Sequence, residues 1–505
     1  MLDTLVLSRL FNPTREGSHS LAAWGFRLGQ RKMEFKEFKE YTEEMLTYCV
    51  NDVLVNAKLY KALKEESRGF SKLCVDIEHS IADLLYKQRT HGFLLDVPVA
   101  SILKSTLEEE LENLKLAVQK SFKPKEDVYV LRIMYNADGK ISRFAKCREL
   151  NKRMRLCEEE YEEICKHKKI KRTIRTDFNL GSRKQIGEYL IEFGWKPKKF
   201  TPTNQPVVDE GTLKKIKNIP EAQLIAQYLM LQKRIAQVAS WLSAYEVATD
   251  RVHGYVNSNG TITGRMTHSN PNLAQVPSSS SPYGAECRAC WIVPDDYKLV
   301  GIDASGLELR MLAHYMDDEG YTNEIINGDV HTANQKLAGL ESRNQAKTFI
   351  YALLYGAGNV KLGSVAGGGR DVGARLRKSF FDNLPAFKTL QDKVGRASKK
   401  GYIKGIDGRK LIIRSEHSAL NTLLQSAGAI VMKQALIFFE ESMKDLDAHV
   451  VANVHDEWQV EVHKDYADEV GKLGSQAIID AGIFLKLKCP LDGEYNVGNN
   501  WSETH

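Results

Sequence analysis

The chain has 505 residues, of which 43% are hydrophobic and 27% charged, an ordinary balance for a folded globular protein that excludes wholesale disorder and leaves material for several cores. Its net charge of +6 is mild for this length, so any affinity for nucleic acid must be argued from where the charge sits. No apolar run approaches the roughly 20 residues of a membrane span, and Asp3 and Arg9 interrupt the opening stretch where a signal peptide needs an unbroken apolar core. A cytoplasmic protein with reduced thiols is expected from its eight cysteines.

Residues 1–75 open with Leu5, Leu7, Leu10 and Phe11, an apolar set read as a docking edge. From about 76 to 240 the pattern is largely helical, with Asp76-Ile77-Glu78 opening an amphipathic run through Leu84, Leu85 and Tyr86. Within it, residues 120–176 hold seventeen Lys or Arg against nine Asp or Glu, a local charge of +8. That appendage reads either as a solvated charged helix with mixed-sign pairs around Cys157-Glu158-Glu159-Glu160, or as a basic surface for a polyanion or a protein partner. Cys157, Cys165 and His167, with Cys147, match no common zinc spacing, and the lone Cys287-Arg288-Ala289-Cys290 reads as structural.

Chemistry concentrates further on. Val300 to Tyr315 is an apolar run that delivers a lone carboxylate, Asp303, and is followed by a helix-like segment carrying Glu308 and Arg310. Arg343, Lys347, Tyr351 and Tyr355 then recur every four residues, one face of a helix, where two cations followed by two rings suit a nucleoside triphosphate. As an isolated stripe it could equally be core aromatics beside solvated charges. The glycine-rich stretch Gly363 to Gly373 lacks the Gly-Lys-Ser/Thr of a phosphate loop and reads as a flexible turn. Gly405 to Lys410 is a turn, with Arg409 or Arg414 beside it expected to reach a ligand's phosphates. Val450 to Val460 reads as a tight hairpin with His455-Asp456-Glu457 at its bend. Two strand-borne aspartates facing one another can hold two divalent ions roughly 3.5–4 Å apart, an arrangement for phosphoryl transfer.

These three segments resemble motifs A, B and C of the family A (Pol I type) DNA polymerases, and the surrounding sequence is similar to the replicative polymerases of short-tailed phages of the T-seven type. The resemblance runs the length of the chain and is weakest at about 120–176. It implies an α+β right-hand fold with an antiparallel palm sheet and helical fingers and thumb. The implied divisions are an exonuclease-domain remnant at 1–75, a thumb at 76–240 with its insertion at 120–176, palm at 241–318, fingers at 319–404 and palm again at 405–505.

The resemblance also implies roles. Asp303 and Asp456, with the carbonyl of Ala304, are expected to hold two Mg²⁺ ions; Glu457 is a weaker candidate ligand or an anchor. His331, Arg343 and Lys347 match the triphosphate-binding set, with Lys347 a candidate proton donor to pyrophosphate. Glu308, hydrogen-bonded to Tyr355, is expected to exclude a 2′-hydroxyl, and Tyr351 to permit dideoxynucleotides. Arg265, Asn421 and Gln425 match contacts to the primer–template, and His455 orients the hairpin beside it. Tyr228 to Arg234 resembles the thumb helix that leads back to the palm. Tyr48 and Asp52 fit the last exonuclease motif, whose earlier partners are absent. The chain alone is therefore not expected to proofread: either it is truncated, or a separate polypeptide completes the nuclease, and Met1 is compatible with both. In relatives an insertion at the place of 120–176 binds thioredoxin; this one departs in length and composition, so another processivity factor is expected. A replicative helicase–primase is a further expected partner, in the cytoplasm of an infected bacterium. A single-subunit RNA polymerase is the nearest rival, opposed by Glu308; a nuclease and an inactive DNA-binding subunit are the others.

Overall fold

The structure is a computed structural model describing residues 2–504, so Met1 lies outside the described residues. The chain forms two compact units, one running to Ala100 and resuming at Ser240, the other Ser101–Ala239.

At the centre of the first unit is a four-stranded antiparallel sheet in the order Ala448–Val454, Glu457–His463, Tyr297–Ala304, Gly493–Gly498. Both faces are covered, which is why Glu457 to Val462 are all buried and why the segment reads as apolar with scattered polar residues. Helices Ala419–Ser442 and Ala467–Phe484 lie over the sheet, and Phe439 stacks on Trp458 with ring centroids 5.3 Å apart. Helix Ala419–Ser442 sits within a stretch long and apolar enough to cross a membrane, yet most of it is buried inside the protein as a core element.

Helix Lys72–His91 contributes Ile77, Ile81 and Leu85 to the same core as Val300 and Ile302. The structural division therefore falls about 25 residues beyond the expected start of the thumb at 76, because this helix buries its apolar stripe in the unit that carries the sheet. Helices Arg343–Leu354, Asn359–Val365 and Arg370–Asn383 follow in the segment expected as fingers. The glycine-rich stretch there does turn, at 366–369, but its flanks are tightly packed helix. A Cβ on Gly363 would lie 1.9 Å from the Gly369 carbonyl and one on Gly373 1.9 Å from that of Asn359, so these glycines let two helices pack at backbone contact.

The N-terminal segment corrects another expectation. Helix Thr4–Phe11, capped by the Asp3 carboxylate, turns Leu7, Leu10 and Phe11 inward against Trp24, Leu59, Leu63 and Cys74, so these residues are core and no docking edge.

In the second unit a helical core is built around Phe122 and Phe178, stacked 4.2 Å apart. The basic appendage is mostly sheet, where the largely helical pattern and one reading of its charges had placed helix. Its four antiparallel strands run in the order Lys152–Arg155, Phe144–Cys147, Lys125–Arg132, Lys169–Thr176, and only Glu158–His167 is helical. The signal was present in KIKRTIRT, where apolar and charged residues alternate with period two. Leu131, Ala145, Cys147 and Ile170 face inward with Ile164 of that helix. Cys147 is thus a core residue, while Cys157 and Cys165 are exposed.

Candidate functional site

The two aspartates come together on neighbouring strands. Asp303 is the penultimate residue of strand Tyr297–Ala304, in register with Glu457, and the Ala304 amide donates to the Asp456 carbonyl at 3.1 Å. His455 and Asp456 form the two-residue bend between Val454 and Glu457, with His455 at φ +59°, a left-handed conformation uncommon outside glycine. Glu457 opens the second strand directly after the bend, in register with Asp303. There Glu457 is buried and accepts from Trp501 Nε1 and Gln459 Nε2, each at 2.6 Å, beside the Arg288 guanidinium. It anchors the strand beneath the bend, and with its oxygens so engaged the two aspartates are the candidate metal-binding carboxylates of the motif. Their hard oxygen donors suit Mg²⁺, which accepts one or two protein carboxylates and completes its shell with substrate phosphates and water.

Helix Arg343–Leu354 starts at a capping box between Ser342 and Gln345. Ala346, Phe349, Ile350, Leu353 and Leu354 take the core, leaving Arg343, Lys347, Tyr351 and Tyr355 on the outward side. Arg343 donates through Nε to Asp329 at 2.6 Å, and its guanidinium together with the Thr332 hydroxyl holds the Asp329 carboxyl below the usual carboxylate range. Lys347 is exposed and makes no ion pair among the described residues. His331, in the first turn of helix Val330–Ala338, lies 6.3 Å from the Tyr351 ring. Its imidazole is kept below its ordinary pKa by burial and by the cations of Arg343 and Lys347, and its Nδ1 is buried without a hydrogen-bond partner. An anion placed there would meet three groups able to donate to it.

Glu308, in the first turn of helix Leu307–Met316, joins the two halves. Tyr355 Oη donates to its carboxylate at 3.0 and 3.1 Å, and Arg265 Nη2 donates to it at 3.2 Å. Burial and the Glu308 charge push the Tyr355 hydroxyl up to about 12, so it stays a donor at neutral pH. Burial also raises the Tyr351 hydroxyl, followed by the charges of Glu308 and Asp456, which marks how near that ring lies to both carboxylates. Arg265, Glu308, Gln425, Asn453, His455 and Asp456 line one pocket. Asn421 and Gln425 stand one turn apart on helix Ala419–Ser442, half-buried where most of that helix is fully buried.

Several residues at the site escaped the sequence reading. Asp329 was legible as a helix N-cap before His331, but its hold on Arg343 is tertiary. Lys433 borders the same pocket and is fully buried, as is its partner Glu78; Arg409 lies 2.8 Å from both Glu78 and Asp407. The only sequence signal was a lone lysine inside the apolar run AGAIVMKQALIFF. Arg409 is thus 2% exposed and unable to reach a template, whereas Arg414 is exposed. Arg409 instead abuts the turn before Arg265, where a Cβ on Gly264 would lie 2.5 Å from its Nη1. Far from this pocket in sequence, Tyr48 and Asp52 sit on helix Glu43–Glu66, with Asp52 paired to Lys32 at 3.0 Å and Tyr48 beside Phe35 and Phe38. No cluster of three or more metal-ligating side chains occurs among the described residues, there or elsewhere.

Known proteins share this sequence and architecture. The sequence model of DNA polymerase family A matches residues 147–503. The DNA-directed DNA polymerases of Enterobacteria phage T3 and Escherichia phage T7 are each 36% identical over 617 residues, covering 100% of this chain and 88% of the relative. The thermostable DNA polymerase I of Thermus filiformis is 28% identical over 92% of the chain and 52% of its own length. The solved POL domain of Pol1 from M. smegmatis, in complex with DNA primer-template and dNTP, superposes with a TM-score of 0.78 at 20% identity, over 99% of this chain and 82% of that one, and shows the shared right-hand fold. With the family model spanning most of its length, the chain belongs to DNA polymerase family A.

Proposed function

We propose that the chain extends a primer 3′-hydroxyl with deoxynucleotides under the direction of a template, by phosphoryl transfer at the Asp303–Asp456 pair. The observation that carries the reading is the convergence of these aspartates, 153 positions apart in sequence, with Asp456 lining one pocket with the Glu308 that accepts from Tyr355. Polymerases of this family depend on divalent metal. Asp303, Asp456 and the Ala304 carbonyl would hold two Mg²⁺ ions, which when bound lower the cost of the attacking and leaving oxygens' charge. The chain's own groups do the rest. His331, Arg343 and Lys347 receive the triphosphate, and Arg343 exchanges Asp329 for phosphate oxygens. The primer 3′-hydroxyl gives its proton to water as its oxygen bonds to the α-phosphorus and the α–β bridge breaks, while Lys347 Nζ donates a proton to the departing pyrophosphate and regains one from water.

Glu308, fixed by Tyr355 and Arg265, fills the space of a 2′-hydroxyl and selects deoxynucleotides against ribonucleotides, which disfavours an RNA polymerase. Arg265, Asn421, Gln425 and His455 line the primer–template side, where minor-groove acceptors common to every correct pair report shape without sequence. The domain roles follow: palm at 241–318 and 405–505, fingers at 319–404, thumb within 76–240 and a nuclease remnant at 1–75. A processivity factor at 120–176 and a helicase–primase are the proposed partners, in the cytoplasm of a phage-infected bacterium. Primer extension with Mg²⁺ and four dNTPs tests the core of the reading. Wild-type protein extends the primer, and Asp456→Ala loses on the order of a thousandfold in rate, several kcal/mol of stabilisation, with DNA affinity retained. Equal rates for the two proteins would remove Asp456 from the chemistry.

A further inference from the structure

The sheet at 125–176 has two unlike sides. One packs on helix Glu158–His167, whose first turn is three glutamates. On the other, residues directly opposite one another on adjacent strands form an unbroken row of cations. Arg153 pairs with Lys146, Lys146 with Arg132, and Arg132 with Lys169, so the row crosses all four strands. All four side chains are exposed, and none forms an ion pair among the described residues. Neighbouring strands are roughly 4.8 Å apart, and like charges directly opposite destabilise a sheet. Lysines on edge strands are a familiar guard against aggregation, which would account for Lys169 and Arg153. It leaves Lys146 and Arg132 on the two central strands unexplained.

A row that costs stability in the free protein is relieved by a polyanion. We propose that this outward sheet face binds the phosphate backbone of DNA. Phe144, 45% exposed on the same face and directly opposite Arg155, adds a ring beside a guanidinium, the pairing on which bases stack in sequence-independent binders. An acidic protein segment would use the charges but has no need of the ring. The inference rests on the polymerase reading for the identity of its ligand, and it places on this face a DNA contact separate from the one that lines Asp456.

The test compares the full chain with a variant combining Arg132→Ala, Lys146→Ala, Arg153→Ala and Lys169→Ala. A second variant, Lys36→Ala, Lys39→Ala, Lys61→Ala and Lys64→Ala, removes the same charge from exposed positions elsewhere. Affinity for a labelled primer–template duplex and for a single-stranded oligonucleotide is followed across a salt series. The sheet variant is expected to lose about 3–4 from the log–log salt slope on duplex, or about 3 on single strand, whichever form occupies the face. The second variant should keep the wild-type slope, and thermal melting of the sheet variant should be no lower than wild type, since the opposed charges are gone. Unchanged slopes in the sheet variant, or equal losses in both variants, overturn the proposal. So does a polyglutamate peptide that binds wild type and not the sheet variant while the DNA slopes stay the same. Absence of primer extension by wild type would instead strike the polymerase reading, a separate result from the slopes.

Discussion

At the scale of single residues, Glu308 organises the site more than its position in the sequence suggests. Its carboxylate takes hydrogen bonds from Tyr355, at the C-cap of helix Arg343–Leu354, and from Arg265, just before strand Thr267–Ser269. Tyr351, one turn before Tyr355, has no such bond and lies 6.4 Å from the Tyr355 ring, its hydroxyl left to meet a substrate. Tyr351→Phe should therefore discriminate against dideoxynucleotides by roughly ten- to hundredfold more than wild type, the worth of one hydrogen bond in a dry site, as read from chain-termination ratios. Lys347 offers a sharper contrast. If its charge alone matters, Lys347→Arg keeps most of the rate; proton donation from Nζ predicts a large loss in single-turnover incorporation, because a guanidinium stays protonated.

His268 belongs to the same pocket and contributes to the pH dependence of stability. Burial, then the neighbouring His455, push its imidazole down from 6.5 to about 4. The unfolded chain takes up that proton near pH 6.5, so between about 6.5 and 4 the unfolded state binds more protons and stability falls as pH falls. Chemical denaturation across that range should show His268→Gln losing about 2 kcal/mol less than wild type. Parallel curves would mean that the imidazole is protonated in the folded protein.

At the scale of elements, the buried charges explain how three segments distant in sequence are held in register. Lys433 on helix Ala419–Ser442, Glu78 on helix Lys72–His91 and Arg409 after the turn at 405–408 meet with no exposed atom of consequence. Burial opposes ionisation of Glu78, but the ammonium of Lys433 and the guanidinium of Arg409 hold its carboxyl below the ordinary range. Removing one partner leaves the others uncompensated in the core. Lys433→Met is expected to cost roughly 3–5 kcal/mol in denaturant unfolding, and Glu78→Gln/Lys433→Met together less than the two single changes added, as a shared interaction requires. Because Arg409 touches the Gly264 turn, the single variant should also weaken the primer contact proposed for Arg265.

At the scale of the whole molecule, the segment at 1–75 sets a limit on activity. Asp52 pairs with Lys32 on a helix flank and belongs to no group of three or more metal-ligating side chains among the described residues. Two-metal nuclease chemistry needs more than one such ligand. The purified chain should leave a mismatched primer 3′ end intact in the absence of nucleotides; degradation that Asp52→Ala abolishes would contradict this.

How far the sequence reached follows from the range of the forces involved. Asp303, Asp456 and the Arg343-to-Tyr355 stripe were legible because local rules place them: a strand that ends on a carboxylate, a hairpin with charges at its bend, a four-residue repeat on a helix. The hairpin and the helix stripe came out as read. The packed flanks of the glycine-rich turn, the burial of the Leu7–Phe11 edge and that of Arg409 were not legible, since each depended on what packs against the segment. The appendage failed for a different reason: its charge masked an alternation that is itself local. By itself, then, the sequence determined the chemistry available, the acids, cations and rings and the short elements that carry them, because backbone periodicity and side-chain identity act over a few residues. Only the tertiary structure decided which of them meet. Glu457 turned inward to Trp501, Glu78 found Lys433 across 355 positions, and four cations lined up across a sheet, through burial and strand register that no single segment encodes.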